Sequence, residues 1–123
     1  TWQVDLLADG RVVHTRYMGR LRAEELQAAC RATMVSSREA DTNLFLTDCR
    51  GLAGGYTLAD LFYLIDFLVA EGLDPNVARE AVIGDDPPDM VEKMEFWENA
   101  MVNRGFECRR FDGLDAAVAW LVD

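Results

Sequence analysis

The chain has 123 residues, half of them hydrophobic and 28% charged, with 22 acidic side chains against 12 basic ones and a net charge of −10. That length and composition suit one globular domain built on a single core. The acid excess repels phosphate backbones and anionic membrane surfaces alike, which argues against nucleic-acid binding and leaves only hydrophobic contact with a membrane surface.

The charge is unevenly spread: 6 Arg stand against 5 acids through Ala40, and 6 cations against 17 acids from Asp41 onward. No apolar run approaches the length of a bilayer span, and the start, Thr1-Trp2-Gln3-Val4-Asp5, lacks the basic-then-apolar pattern of a signal peptide. Cys30, Cys49 and Cys108 are odd in number and widely spaced, as in a reduced, cytoplasmic protein.

In chain order, residues 2–7 read as a strand, Ala8-Asp9-Gly10 as a turn and 11–18 as a second strand, together an antiparallel hairpin. A helix is expected over 23–37, with Leu26, Ala29, Cys30, Thr33 and Met34 on one face and a poor cap, since Arg22 stands where Ser, Thr or Asp would serve. Leu44-Phe45-Leu46-Thr47 is a third strand ending on Asp48, and a glycine-rich loop, 49–56, carries the chain to a helix opened by Thr57 and stopped at Gly72. Residues 80–84 form the fourth strand. Asp85-Asp86-Pro87-Pro88-Asp89 then reads as an acidic cap with tolerated prolines, starting a helix that runs to about Arg104 with Met90, Met94, Trp97 and Met101 as its buried stripe. A one-sided strand over 106–111 and a helix over 114–122 complete the pattern β-β-α-β-α-β-α-β-α. The expected fold is therefore a single α/β domain, a five-stranded mixed sheet with four helices, the first hairpin at one edge. Right-handed crossovers between neighbouring parallel strands place the Thr57 and Pro88 helices side by side.

The Thr57 helix is apolar on nearly all sides, more than one sheet can cover. Its core stripe is expected to be Leu58, Leu61, Phe62, Ile65 and Val69, leaving Tyr63, Phe67 and Ala70 on the opposite flank. Phe96 is similarly off the stripe of the Pro88 helix. Such a band serves either a groove, an oligomer contact or packing within the domain. Tyr56, Tyr63, Phe67, Phe96 and Trp97 are thus the candidate ligand or interface residues. Thr57 is a helix cap whose hydroxyl is also the candidate phosphorylation switch. Asp48, Asp85, Asp86 and Asp112 fall near strand ends, where α/β sheets place their sites, but Asp86 serves as a cap and Asp112 as a turn residue, and no metal is expected. His14 is the only histidine and lies in a hairpin strand. Cys49 beside Asp48 is a poor nucleophile, since a neighbouring carboxylate raises a thiol pKa. The glycine loop lacks the Lys-Ser/Thr of a phosphate loop. Neither catalysis nor a cofactor is expected.

The closing run, Arg110-Phe111-Asp112-Gly113-Leu114-Asp115-Ala116-Ala117-Val118-Ala119-Trp120-Leu121, resembles the end of SpoIIAA-like proteins, bacterial relatives of the STAS domains of anti-sigma-factor antagonists. Gly19-Arg20-Leu21 with Glu24-Glu25-Leu26, and Leu46-Thr47-Asp48 with Gly51-Leu52, agree with the same resemblance. Antagonists of this type carry Asp-Ser-Ser/Thr-Gly, with a phosphorylated Ser, where this chain has Gly54-Gly55-Tyr56-Thr57-Leu58-Ala59-Asp60, so Thr57 alone offers a hydroxyl there. The resemblance implies a non-enzymatic domain. Its first expected role is binding an apolar small molecule or lipid in a groove between the Thr57 and Pro88 helices. The alternative is a regulatory protein-interaction domain switched at Thr57. A homodimer is compatible with either.

Overall fold

A computed structural model describes residues 1–84 and 87–123. The order of elements is β1 (Trp2–Leu7), β2 (Val12–Tyr17), α1 (Ala23–Ala40), β3 (Leu44–Cys49), α2 (Leu58–Ala70), β4 (Arg79–Gly84), α3 (Pro88–Asn103), β5 (Glu107–Phe111) and α4 (Leu114–Val122). This is the expected five-stranded mixed sheet with four helices. Its strands lie in sequence order, β1 and β2 antiparallel and the later pairs parallel.

Each parallel pair is joined by one helix, and a consistent crossover hand puts α1, α2 and α3 on the same side. Helix α4 follows the last strand, has no further strand to reach, and folds back over the other face, against β4, β3 and β5. Strand alternation divides the core accordingly. Val13, Tyr17, Phe45, Cys49, Val82 and Cys108 face the three helices, whereas Val12, Leu46, Ala81 and Ile83 meet Ala117 and Leu121 of α4.

Local chemistry accounts for the boundaries. Ala8, Asp9 and Gly10 all take positive φ, making the hairpin turn. Helix α1 runs to Ala40, beyond the expected 37, because Arg38 and Glu39 continue it on the solvent side, where hydrophobic periodicity gives no signal. Asp41 then ends it in the left-handed region. Arg22 provides no side-chain cap, as expected, but its own N–H donates to Glu25 Oε1 at 3.1 Å. Gly72 stops α2 through a Schellman pair, Leu73 N to Leu68 O and Gly72 N to Val69 O, both 3.0 Å. The expected cap at Asp86 lies outside the described residues.

One expectation needs correction. The buried stripe of α2 is Leu61, Leu64, Ile65 and Leu68, while Phe62 and Val69 are 48% and 41% exposed. With only Asp60 and Asp66 charged in 13 residues, polar punctuation is too sparse to fix the rotation of this helix. Packing against both α1 and α3 decides it.

Candidate functional site

The loop after β3 does not simply turn. It docks edge-on against residues 19–21: Gly19 N donates to Gly51 O at 2.9 Å, Ala53 N to Gly19 O at 2.8 Å and Leu21 N to Gly54 O at 2.8 Å. This approach needs Gly55, which has φ +100°, and a Cβ there would stand 2.7 Å from Leu21 O. Two cations close over the loop. Arg20 donates to Ala53 O at 3.3 Å. Lys93, the chain's single lysine, donates to Tyr56 O at 3.2 Å with its ammonium 4.4 Å from the Tyr56 ring centre.

The loop delivers Thr57 in an extended conformation as the N-cap of α2. Its Oγ1 accepts Asp60 N–H at 3.1 Å, and Asp60 Oδ2 accepts Thr57 N–H at 2.8 Å, a complete capping box. Thr57 is exposed. A solvent-facing hydroxyl therefore sits at the positive end of a 13-residue helix.

Along α2 the surface opens into a groove of about 380 Å³ against α3, lined by Phe62, Ile65, Phe96, Ala100 and Asn103. The ion pair between Asp66 and Arg104 lies at one end. Phe96 is the candidate residue that lies in this groove. Tyr63, 68% exposed, points outward and meets Phe62 edge-on at 5.9 Å. Phe67 turns the other way, half-buried beneath Arg31 of α1 at 5.2 Å. Tyr56 and Trp97 are interior residues. Tyr56 O–H donates to Met90 Sδ at 3.8 Å, and Trp97 Nε1 donates to Glu80 Oε1 at 2.8 Å. Their polar tips have partners inside the core, which is why both aromatic rings can be buried.

Glu80 is the main feature that sequence reasoning missed. It is buried on the three-helix face of β4, its Oε1 also accepting from Cys108 Sγ at 3.2 Å and its Oε2 from the Thr47 hydroxyl. Burial raises its pKa, and the Thr47, Trp97 and Cys108 hydrogen bonds only partly offset this. The carboxyl borders a cavity of about 80 Å³ between sheet and helices. A lone acid next to the Ala81-Val82-Ile83 run was the available signal.

On the opposite face His14 Nε2 bonds Asp48 Oδ2 at 2.9 Å, and Arg50 grips the same carboxylate through Nε at 3.0 Å and Nη2 at 2.8 Å. Burial pushes the Asp48 pKa up, but the hydrogen bonds from His14 and Arg50 outweigh it and hold the carboxyl well below the usual range. His14 is thus paired with a structural acid. Cys49 is buried, and burial first, then Glu80 and Asp48, pushes its thiol up to about 12. Asp85 and Asp86 lie outside the described residues; among the described residues no cluster of His, Cys, Asp or Glu could hold a metal ion. No helix among them is long and apolar enough to cross a membrane.

No protein-family model and no curated protein matches this chain. Solved structures do. The anti-sigma factor antagonist SpoIIAA in its unphosphorylated form superposes with a TM-score of 0.61 at 14% identity, over 99% of this chain and 97% of that one. The Bacillus cell fate determinant SpoIIAA in its phosphorylated form gives 0.59 at 13% identity, with full coverage of both. An uncharacterised protein of SpoIIAA-like fold from Shewanella loihica gives 0.63 at 18% identity, over 98% and 92%. The chain has the SpoIIAA-like, STAS-related fold.

Proposed function

We propose that this chain, with the fold of an anti-sigma-factor antagonist, is a non-enzymatic regulatory domain that binds a protein partner through the exposed side of α2 and is switched at Thr57. The observation that carries the reading is the exposed capping hydroxyl of Thr57 at the end of a docked glycine loop. It belongs to a fold whose solved members include SpoIIAA in both phosphorylated and unphosphorylated forms.

A phosphate on Thr57 Oγ1 would add about −1.5 to −2 charge at the helix start. The dipole favours it there, and Lys93 and Arg20 lie beside Gly54, three residues earlier. The same phosphate would compete with Asp60, whose carboxylate holds the Thr57 amide. The helix start would therefore change its bonding as well as its charge. For an apolar small molecule or lipid, the groove offers its lining alone. An anionic headgroup would meet helices α2 and α3, which together carry six carboxylates and one lysine.

The test is affinity capture from cells of the source organism with wild type, Thr57→Ala and Thr57→Glu, alongside mass spectrometry of the native protein for phosphothreonine. The expected result is a partner retained by Thr57→Ala and lost or exchanged by Thr57→Glu. Equal recovery by all three, with no phosphate at Thr57, would sink the switch.

A further inference from the structure

Helices α2 and α3, of 13 and 16 residues, pack side by side, and the groove between them is lined by Phe62 and Ile65 of α2 and by residues 96–104 at the C-terminal end of α3. Its lining combines Phe62, Ile65, Phe96 and Ala100 with Asn99, Asn103 and Arg104, and Val69 and Val102, on the same two helices, stand 41% and 51% exposed. Exposed apolar side chains on two adjacent helices of a chain of net charge −10 fit a contact surface.

The charges around it select the occupant. Helices α2 and α3 carry Asp60, Asp66, Asp89, Glu92, Glu95 and Glu98 against Lys93, which is turned onto Tyr56; Arg104, at the end of α3, pairs with Asp66, and Arg110 with Glu95 and Glu98, so Asp89 and Glu92 set the charge beside the groove. Glu92 and Asp89 precede Phe96 by four and seven residues, so they continue its stripe along α3. A second copy would bring two net-acidic faces together, and an acidic or phosphorylated segment would be repelled likewise.

We infer that the groove docks a basic amphipathic helix of a partner protein, apolar residues at i, i+3, i+4 and i+7 entering between Phe62 and Phe96 and flanking Lys or Arg meeting Asp89 and Glu92. The inference rests on the reading of this chain as a protein-interaction domain and specifies that partner's chemistry and seat.

The probe is a synthetic Leu/Lys amphipathic helix of about five turns, with a Leu/Glu peptide of the same pattern as control. Both are titrated into the full chain by calorimetry and by amide chemical-shift mapping. The expected result is 1:1 binding of the Leu/Lys peptide only, with shifts confined to α2 and α3. Phe62→Ser and Phe96→Ser, which remove apolar contact without altering charge, should each weaken it about tenfold, and Glu92→Gln should lower its salt dependence. Shifts spread over α4 and β5, or undiminished binding by both Ser variants, would overturn the inference, and mapping on wild type decides even if a variant fails to fold. A wild-type dimer in light scattering that Phe62→Ser abolishes would assign the groove to a second copy and overturn it too. If the Ser variants lose the peptide while Thr57→Glu leaves both peptide and captured partner unaffected, the groove stands and the switch alone fails.

Discussion

Glu80→Gln is expected to stabilise this protein at neutral and alkaline pH. The wild-type carboxyl is buried with three donors, Trp97 Nε1, Cys108 Sγ and the Thr47 hydroxyl, and among the described residues no cation is bonded to it. Its raised pKa means that desolvation outweighs those bonds. Above the unfolded glutamate value of about 4.3, the unfolded chain releases a proton that the folded chain still holds. Stability then falls by up to about 1.4 kcal/mol per pH unit until the folded value is passed. Glutamine keeps the acceptor for Trp97 and Cys108 and offers an N–H to Thr47 Oγ1, so it preserves the network and removes that slope. Glu80→Ala instead leaves the Trp97 and Thr47 donors unsatisfied, each at about 1–3 kcal/mol, and enlarges the neighbouring cavity. Urea melts at about pH 4 and about pH 8 separate the cases. The Gln variant should match wild type within about 1 kcal/mol at the lower pH and exceed it at the higher. Alanine should be the least stable at both. A Gln variant with the wild-type slope, or less stable than wild type at the higher pH, would show that the three donors hold Glu80 charged, against the reasoning here.

Gly55→Ala should cost at least about 2 kcal/mol, since it combines a positive φ with a Cβ 2.7 Å from the Leu21 carbonyl oxygen, whereas Gly113→Ala, with nothing within 4 Å, should stay within about 1 kcal/mol; thermal melts of the pair check the docked loop. Thr57→Ala should lower stability by about 1 kcal/mol while Thr57→Ser remains close to wild type, read from urea midpoints, because the cap needs only a hydroxyl.

Much of the fold was legible because each change of element is marked locally. Gly72 and Gly105 stop helices, Thr57 with Asp60 starts one, and the apolar period switches between two and about 3.6. The SpoIIAA-like resemblance, carried by hydrophobic spacing near the C-terminus, pointed to the same architecture. The position of the α2–α3 groove follows from topology alone, yet its lining did not, because α2 is too uniformly apolar for periodicity to orient it. Phe62 and Phe96 came to share the groove, and Phe67 turned to Arg31. The polar interior was hidden for another reason. His14 meets Asp48 across 34 residues and Glu80 meets Trp97 across 17, pairings set by strand register and by how closely α3 approaches the sheet. The docking of the glycine loop was hidden too, because nothing local to it shows that residues 19–21 run alongside.

The two buried carboxylates sit on adjacent strands, Asp48 on β3 facing α4 and Glu80 on β4 facing the three helices, and they act on stability in opposite senses. Asp48 is given Arg50 and His14, so its folded pKa is depressed; its contribution is fully present above the unfolded value of about 3.9 and is lost as pH falls through the folded one. Glu80 is given neutral donors, so its folded pKa is raised, and its penalty begins above about 4.3 and grows as pH rises. Self-repulsion in a chain of net charge −10 adds to the same decline. Together these give the stability profile an acid limb below about pH 4 from Asp48 and a decline at higher pH from Glu80. Asp48→Asn should then lower stability by about 1–3 kcal/mol at neutral pH, because it removes the charged acceptor of His14 and of the half-exposed Arg50, and flatten the acid limb, while Glu80→Gln flattens the alkaline one. A wild-type urea midpoint that climbs steadily from about pH 5 to about pH 8 would contradict the assignment of Glu80, whose raised pKa requires a decline there.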